Sequence, residues 1–208
     1  MEYNYHCFCD WADNVLDIRE QFPLERELTL QIAEDLGIAH PIDKKINTPI
    51  VMTTDCFLTM REGATVVYKT RTFKFEKDLN DERVIEKFEI EKCYWDQQGI
   101  DWAIVTEKEL PATFLNNLKF LRDSYFVNDD ETLALLMEEW NRFTGPVLVN
   151  LQAFDTKYNF ELRTGISLYK HALAKKLLKV NMYEIISLNE DVSNVIVTTV
   201  SDSKKRWA

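Results

Sequence analysis

The sequence predicts an α/β (α+β) chain in two units. A small mixed sheet with flanking helices occupies residues 1–110, and a mainly helical unit with a short strand pair occupies residues 111–208. Three observations carry this. The stretch Ile50–Phe75, IVMTTDCFLTMREGATVVYKTRTFKF, holds two alternating runs around Glu62-Gly63-Ala64-Thr65, a hairpin signature. A helical pattern over Asp81–Gln98, then the short apolar run Trp102–Thr106, suits a crossover into a buried strand. Charge also divides the chain: residues 1–110 hold 23 acidic and 13 basic residues, whereas residues 111–208 hold 12 of each.

Taken in order, residues 2–13 read as the end of a helix, with Tyr5, Phe8 and Trp11 spaced at three. Asn14–Phe22 alternates as a strand and Pro23 ends it. Leu28–Leu36 reads as a short amphipathic helix (Leu28, Ile32, Leu36), stopped by Gly37 at a C-cap position. His40–Pro49, with two prolines and two lysines, reads as a loop. In the hairpin, a Gly63-Ala64 type II′ turn pairs Glu62 with Thr65 and puts Asp55 opposite Thr72. Asp81 caps the next helix, whose apolar stripe is Ile85, Phe88 and Trp95. In the second unit, Ala112–Leu121 and Glu131–Phe143 read as helices, and Val147–Phe154 fits helix or strand. A helix capped by Ser167 runs to about Ile186, and Val195–Val200 reads as a strand. On that last helix Leu173, Leu177 and Val180 fall on one side and Lys175, Lys176 and Lys179 on the other. Helices followed by a small strand pair form the pattern of a winged helix, with the lysine face for DNA or a partner or simply solvated.

Composition narrows the classes. Apolar content of 46% supports a real core, and five Gly with five Pro argue against a disordered or repeat-built chain. No segment approaches the ~20 apolar residues of a membrane helix. The polar-aromatic start MEYNYHCFCDWAD is not a signal peptide, so the expected compartment is the cytoplasm. His6-Cys7-Phe8-Cys9 resembles half a metal site, yet structural zinc needs four ligands; buried thiols are the default for Cys7, Cys9, Cys56 and Cys93. The net charge of −10, taken alone, disfavours a nucleic-acid partner.

The chemistry lies on the hairpin. Side chains repeat every two residues, so Asp55, Thr72 and Lys74 are expected on one face, with Asp55 and Lys74 roughly 7–8 Å apart. A carboxylate and an ammonium so placed can share one metal ion and one scissile phosphate. Asp55 is either an exposed edge-strand acid or an oxygen ligand for Mg²⁺. Lys74 is either solvated or aimed at an attacking water. Together they form the loose PD-(D/E)xK pattern of restriction-type nucleases.

The stretches DNVLDIREQFPL (13–24), IAEDLGIAHP (32–41), IVMTTDCFL (50–58) and IEKFEIEKCYWDQQGIDWAIVTEKELP (85–111) resemble the TnsA family, endonuclease subunits of TnsA–TnsB heteromeric transposases in cut-and-paste and CRISPR-associated transposons. The likeness covers residues 1 to about 111; the C-terminal unit matches in position and expected fold. It implies a restriction-endonuclease-like catalytic domain (1–110) followed by a winged-helix domain (111–208). It implies Mg²⁺-dependent nicking of transposon 5′ ends (with Mn²⁺ as a substitute), with a TnsB-type transposase cutting the 3′ ends and a TnsC-type ATPase bound by the C-terminal part. Carried over by motif, the catalytic residues are Glu2, nine positions before Trp11, with Asp55 and Lys74. The metal set is then Glu2, Asp55 and the Phe73 main-chain carbonyl. Thr72 stands where relatives carry a polar or acidic residue, and Glu89 matches a further acid. Relatives also carry several dozen residues ahead of this point. Two other readings compete: a catalytically weak or inactive subunit bridging TnsB and TnsC, and another restriction-fold nuclease.

Overall fold

The structure is a computed structural model and describes residues 2–198. It divides into two compact units between Leu110 and Pro111.

The first unit is built on a four-stranded mixed sheet of order β1-β4-β5-β6. The chain enters through helix α1 (Glu2–Trp11) into β1 (Val15–Pro23) and α2 (Arg26–Leu36). The stretch read as a loop contains a small ladder of its own, β2 (Ile42–Asp43) with β3 (Thr48–Pro49). The hairpin follows, β4 (Thr53–Glu62) antiparallel to β5 (Thr65–Phe73). Its register is the expected one: Glu62 pairs with Thr65, and the ladder runs out to Cys56 opposite Arg71. Gly63 has φ +62° and Ala64 is not among the residues of positive φ, as a type II′ turn requires.

Helix α3 (Glu82–Gln97) then crosses over to β6 (Asp101–Val105), which lies parallel to β5. Asp81 caps α3 by accepting the N–H groups of Arg83 and Val84. The buried face of α3 is Ile90, Glu91, Tyr94 and Trp95 rather than the expected Ile85–Phe88–Trp95 stripe; Ile85 is exposed. Trp95 belongs to both faces and lies against Phe22 and Phe57 from the sheet; Ile90 and Tyr94 turn the buried face away from Ile85, because they join the core cluster with Leu24, Ile32, Ala33 and Met52. One core cluster (Leu24, Ile32, Ala33, Met52, Phe57, Ile90, Tyr94, Trp95) joins the sheet to α2 and α3. A smaller one (Cys9, Cys56, Leu58) lies on α1, with Tyr5 and Phe73 at its edge. Burial pushes the Cys9 thiol up to about 11 and the Cys56 thiol up to about 12, so both pack as small apolar groups.

The second unit holds α4 (Ala112–Arg122), α5 (Asp130–Trp140), α6 (Val147–Lys157) and α7 (Thr164–Ala174). The ambiguous stretch after Pro146 is therefore helical. Trp140 and Tyr169 stack at 5.4 Å in the centre. Asp155 of α6 is buried and accepts the N–H groups of Arg163 and Gly165, so α7 starts at Thr164 and not at Ser167.

The helix expected to reach Ile186 ends at Ala174. Lys175 is its C-cap, Lys176 stands in the left-handed region at φ +57°, and Lys179 lies in strand β7 (Leu178–Lys179). The three lysines do not share a helix face. Leu178, buried, pairs with Val197 of β8 (Ile196–Val197), and burying it in that ladder turns the chain out of the helix. The N–H of Leu177 closes the end on the Ala172 carbonyl. Of the expected strand Val195–Val200, the described residues 195–198 hold β8, preceded by a single turn at Val192–Asn194. Thr199, Val200 and the polar tail SDSKKRWA lie outside the described residues.

Candidate active site

The site begins where the sheet forks. β4 stays paired with β1 through Phe22↔Thr54 and Pro23↔Thr53. β5 leaves β4 after Arg71 and continues only along β6, through Thr72↔Ile104 and Phe73↔Val105. The N–H of Lys74 follows that parallel ladder and donates to the Val105 carbonyl at 3.1 Å. The N–H of Phe73 therefore points the other way, toward β4, where no ladder carbonyl meets it. Asp55 fills the gap, its Oδ2 accepting the Phe73 N–H at 2.7 Å.

The second carboxylate oxygen is held from the other side. Gln21 Nε2 donates to Asp55 Oδ1 at 3.1 Å, and Gln21 Oε1 accepts the Thr53 hydroxyl at 3.0 Å. Gln21 can do both because its backbone sits at φ +51°, an irregular position inside β1. Asp55 is thus oriented by a side chain from β1 and a main-chain group from β5. Each of its oxygens spends one lone pair on these bonds, and a carboxylate offers about four. The remaining ones suit a hard divalent cation, which takes oxygen ligands.

Lys74 is half-buried at the end of β5. Among the described residues its ammonium is in no ion pair. Glu2 is exposed in the first turn of α1. It shares a helix face with Tyr5, three residues on, and the Tyr5 ring lies 4.9 Å from that of Phe73. That contact ties the helix carrying Glu2 to the strand end carrying Phe73 and Lys74. His6, on the same side of α1, pairs with Glu20 at 3.2 Å. Among the described residues no three of His, Cys, Asp and Glu form a group suited to hold a metal; the expected set contains two carboxylates and a carbonyl.

Thr72 does not share a partner with Asp55, as a common face would lead one to expect. Its hydroxyl donates to Glu91 Oε1 beneath the sheet. Thr54 donates to the same oxygen at 2.7 Å and Trp102 Nε1 at 3.0 Å, while Trp95 Nε1 donates to Thr54 Oγ1 at 2.6 Å. Glu91 is 3% exposed, so α3 holds β4, β5 and β6 at their fork through one buried carboxylate. Burial raises its pKa above the usual carboxylate range; the Asp55 charge adds to this, and the bonds from Thr72, Thr54 and Trp102 oppose it. Glu89, the acid singled out from sequence, is half-buried two residues earlier and is not part of this network. Two signals point to Glu91 instead: an acid adjoining the apolar positions Ile90, Tyr94 and Trp95, and threonines flanking both Asp55 and Phe73. Gln21 carries no comparable signal, because its role depends on a backbone irregularity.

Residues 12–107 match the family model described as TnsA-like endonuclease N terminal, and residues 109–182 match TnsA endonuclease C terminal. Over 206 residues the chain is 31% identical to the transposon Tn7 transposition protein TnsA of Escherichia coli, across 95% of this chain and 73% of that protein. The boundary between the two models falls within three residues of Leu110, where the compact units part. With a forked sheet that orients Asp55 beside the Lys74 strand end, and with likeness across both units, the chain belongs to the TnsA family of transposition endonucleases.

Proposed function

We propose that this chain nicks DNA at the 5′ ends of a transposon by metal-dependent hydrolysis. In this reading it works in the cytoplasm beside a TnsB-type transposase that cuts the 3′ ends and a TnsC-type ATPase. The observation that carries the chemistry is the pair of bonds from Gln21 and Phe73 that fix the Asp55 carboxylate one residue before Lys74 on the partner strand. Glu2, Asp55 and the Phe73 carbonyl would hold Mg²⁺, or Mn²⁺ in its place; bound there, such an ion acidifies a water and offsets phosphate charge.

The chain's own groups do the rest. The Lys74 ammonium offsets charge on the phosphate and orients the attacking water. Gln21 and the Phe73 N–H hold the Asp55 carboxylate in one orientation, so no reorganisation is needed when substrate arrives. Thr72, bonded to Glu91, anchors the strand that delivers Lys74. The second unit is read as a winged helix, α7 followed by the β7–β8 pair, that docks the ATPase partner.

Nicking of end-containing DNA, measured with the transposase present, tests the reading. Asp55→Ala is expected to lose strand cleavage while still joining the partner complex. Cleavage at the unaltered rate would overturn the assignment.

A further inference from the structure

We infer that the adjoining ends of α4 and α7 form a seat for the phosphate backbone of duplex DNA, an inference that rests on the endonuclease reading above. Two lysines at the end of α7 lie over rings supplied by α4 and the turn after it. Lys170 Nζ is 3.8 Å from the centre of the Phe120 ring, and Lys175 Nζ is 4.3 Å from that of Tyr125. Between them the buried His171 donates from Nδ1 to the Ser124 carbonyl at 2.7 Å. The contacts advance in step along both segments, so the two helix C-termini end side by side. Lys119 and Arg122 stand in the last turn of α4, and Lys176 follows α7. Five basic residues thus gather in stretches 119–126 and 170–176, against one acid, Asp123.

Cations at helix C-termini offset the helix dipole, which accounts for their sign. It does not account for the rings. An ammonium resting on an aromatic face has lost rotamer freedom before any ligand arrives. Less entropy then remains to be lost when it meets a phosphate. Duplex DNA is favoured over an acidic peptide by the charge of the whole chain. The first unit carries the entire excess of ten negative charges, so a polyanion brought to its cleavage site needs cations from elsewhere in the protein. The second unit is neutral in sum, yet its cations concentrate at this end, while Asp129, Asp130 and Glu131 gather in the α5 start.

The test is fluorescence anisotropy of the full chain with a labelled random-sequence duplex, in chelator, over a salt series. Lys170→Gln/Lys175→Gln is expected to weaken binding about five- to tenfold and to lower the log–log salt slope by about 1.8, the value for two lost phosphate contacts. Phe120→Leu/Tyr125→Leu keeps the charges, and is expected to leave the slope unchanged with a loss of about two- to threefold. Melting curves establish that both variants fold. Unchanged affinity and slope in the lysine variant would overturn the inference, as would salt-insensitive binding by the unaltered chain. So would retained DNA binding with lost binding to poly-L-glutamate, which would assign the face to an acidic partner. Asp55→Ala separates the two readings: cleavage of end-containing DNA by this variant, measured apart from the chelator assay with Mg²⁺ and the transposase present, would sink the catalytic assignment without touching the salt dependence of the lysine variant.

Discussion

The forked strand end around Asp55 and the lysine-bearing segment 170–179 are both polar regions at the end of a regular element, and they are organised in opposite ways. At the fork, side chains from β1, β4, β5, β6 and α3 converge through hydrogen bonds, and the central acceptor, Glu91, is buried. In segment 170–179 two of the cations are held by contact with rings, and the chain leaves the helix because Leu178 is buried in a strand. The first region holds its geometry tightly through directional bonds. The second is a place where charge is displayed. Substituting residues in the first is therefore expected to cost activity or folding, and in the second mainly affinity.

The largest expected effect is that of Asp55→Ala, which should reduce end cleavage to the background of the assay while the melting temperature changes little. A variant that cuts normally would make the fork merely structural. Next comes Glu91→Ala. It leaves the Thr54, Thr72 and Trp102 donors without their acceptor, and each buried unsatisfied group costs about 1–3 kcal/mol. Denaturant unfolding should show a loss of roughly 3 kcal/mol or more, and cleavage by the folded fraction should fall about 10- to 100-fold, as for groups that support a metal ligand. A variant of unaltered stability would show that the buried network contributes nothing.

The same residue gives a pH signature. Its folded pKa is raised, so between the unfolded and folded values the native state binds a proton that the unfolded state does not. Stability from this group is present below the unfolded pKa and is lost as pH rises through the folded one. Glu91→Gln, which cannot titrate, should flatten that decline in a series of unfolding midpoints. A decline of the same size in both proteins would place its origin elsewhere.

Gly165→Ala probes how the second unit starts the helix that ends in the lysine segment. An added Cβ would lie 2.9 Å from the Leu151 carbonyl oxygen and 3.1 Å from Asp155 Oδ1. A loss of about 1–3 kcal/mol is expected from such overpacking, read by thermal melting. The smallest effect has an informative sign. Lys176 sits at φ +57°, so Lys176→Gly should stabilise by about 0.5–1 kcal/mol. Were residue 176 inside a helix, the same change would destabilise by a similar amount.

Much of the fold was legible because its signals are local. Gly63-Ala64 sets the hairpin register from two residues, and Asp81 and Gly37 mark helix ends by chemistry that acts within a turn. Asp55 and Lys74 could be singled out from that register, and the four quoted stretches pointed to the family. The extent of α7 was misread because Leu173, Leu177 and Val180 keep helical spacing after the helix has stopped. Without a glycine at the break, nothing local announces it. The buried face of α3 was misread for a related reason, since the residues that share a core cluster with Ile90 and Tyr94, among them Leu24, Ile32, Ala33 and Met52, come from distant parts of the chain.

The sequence by itself determined the division into an acidic mixed-sheet unit and a neutral helical one, the hairpin, and the identity of the strand-borne acid and lysine. These follow from composition, two-residue periodicity and turn chemistry, all of which act over a few residues. Only the tertiary structure decided that Gln21 and the Phe73 N–H hold Asp55, that Thr72 turns to a buried Glu91, and that Lys170 and Lys175 rest on Phe120 and Tyr125. Each of those contacts joins residues 18 to 50 positions apart or depends on where a strand leaves its neighbour. Partners so distant are chosen by burial and by the need to satisfy polar groups once the chain has packed.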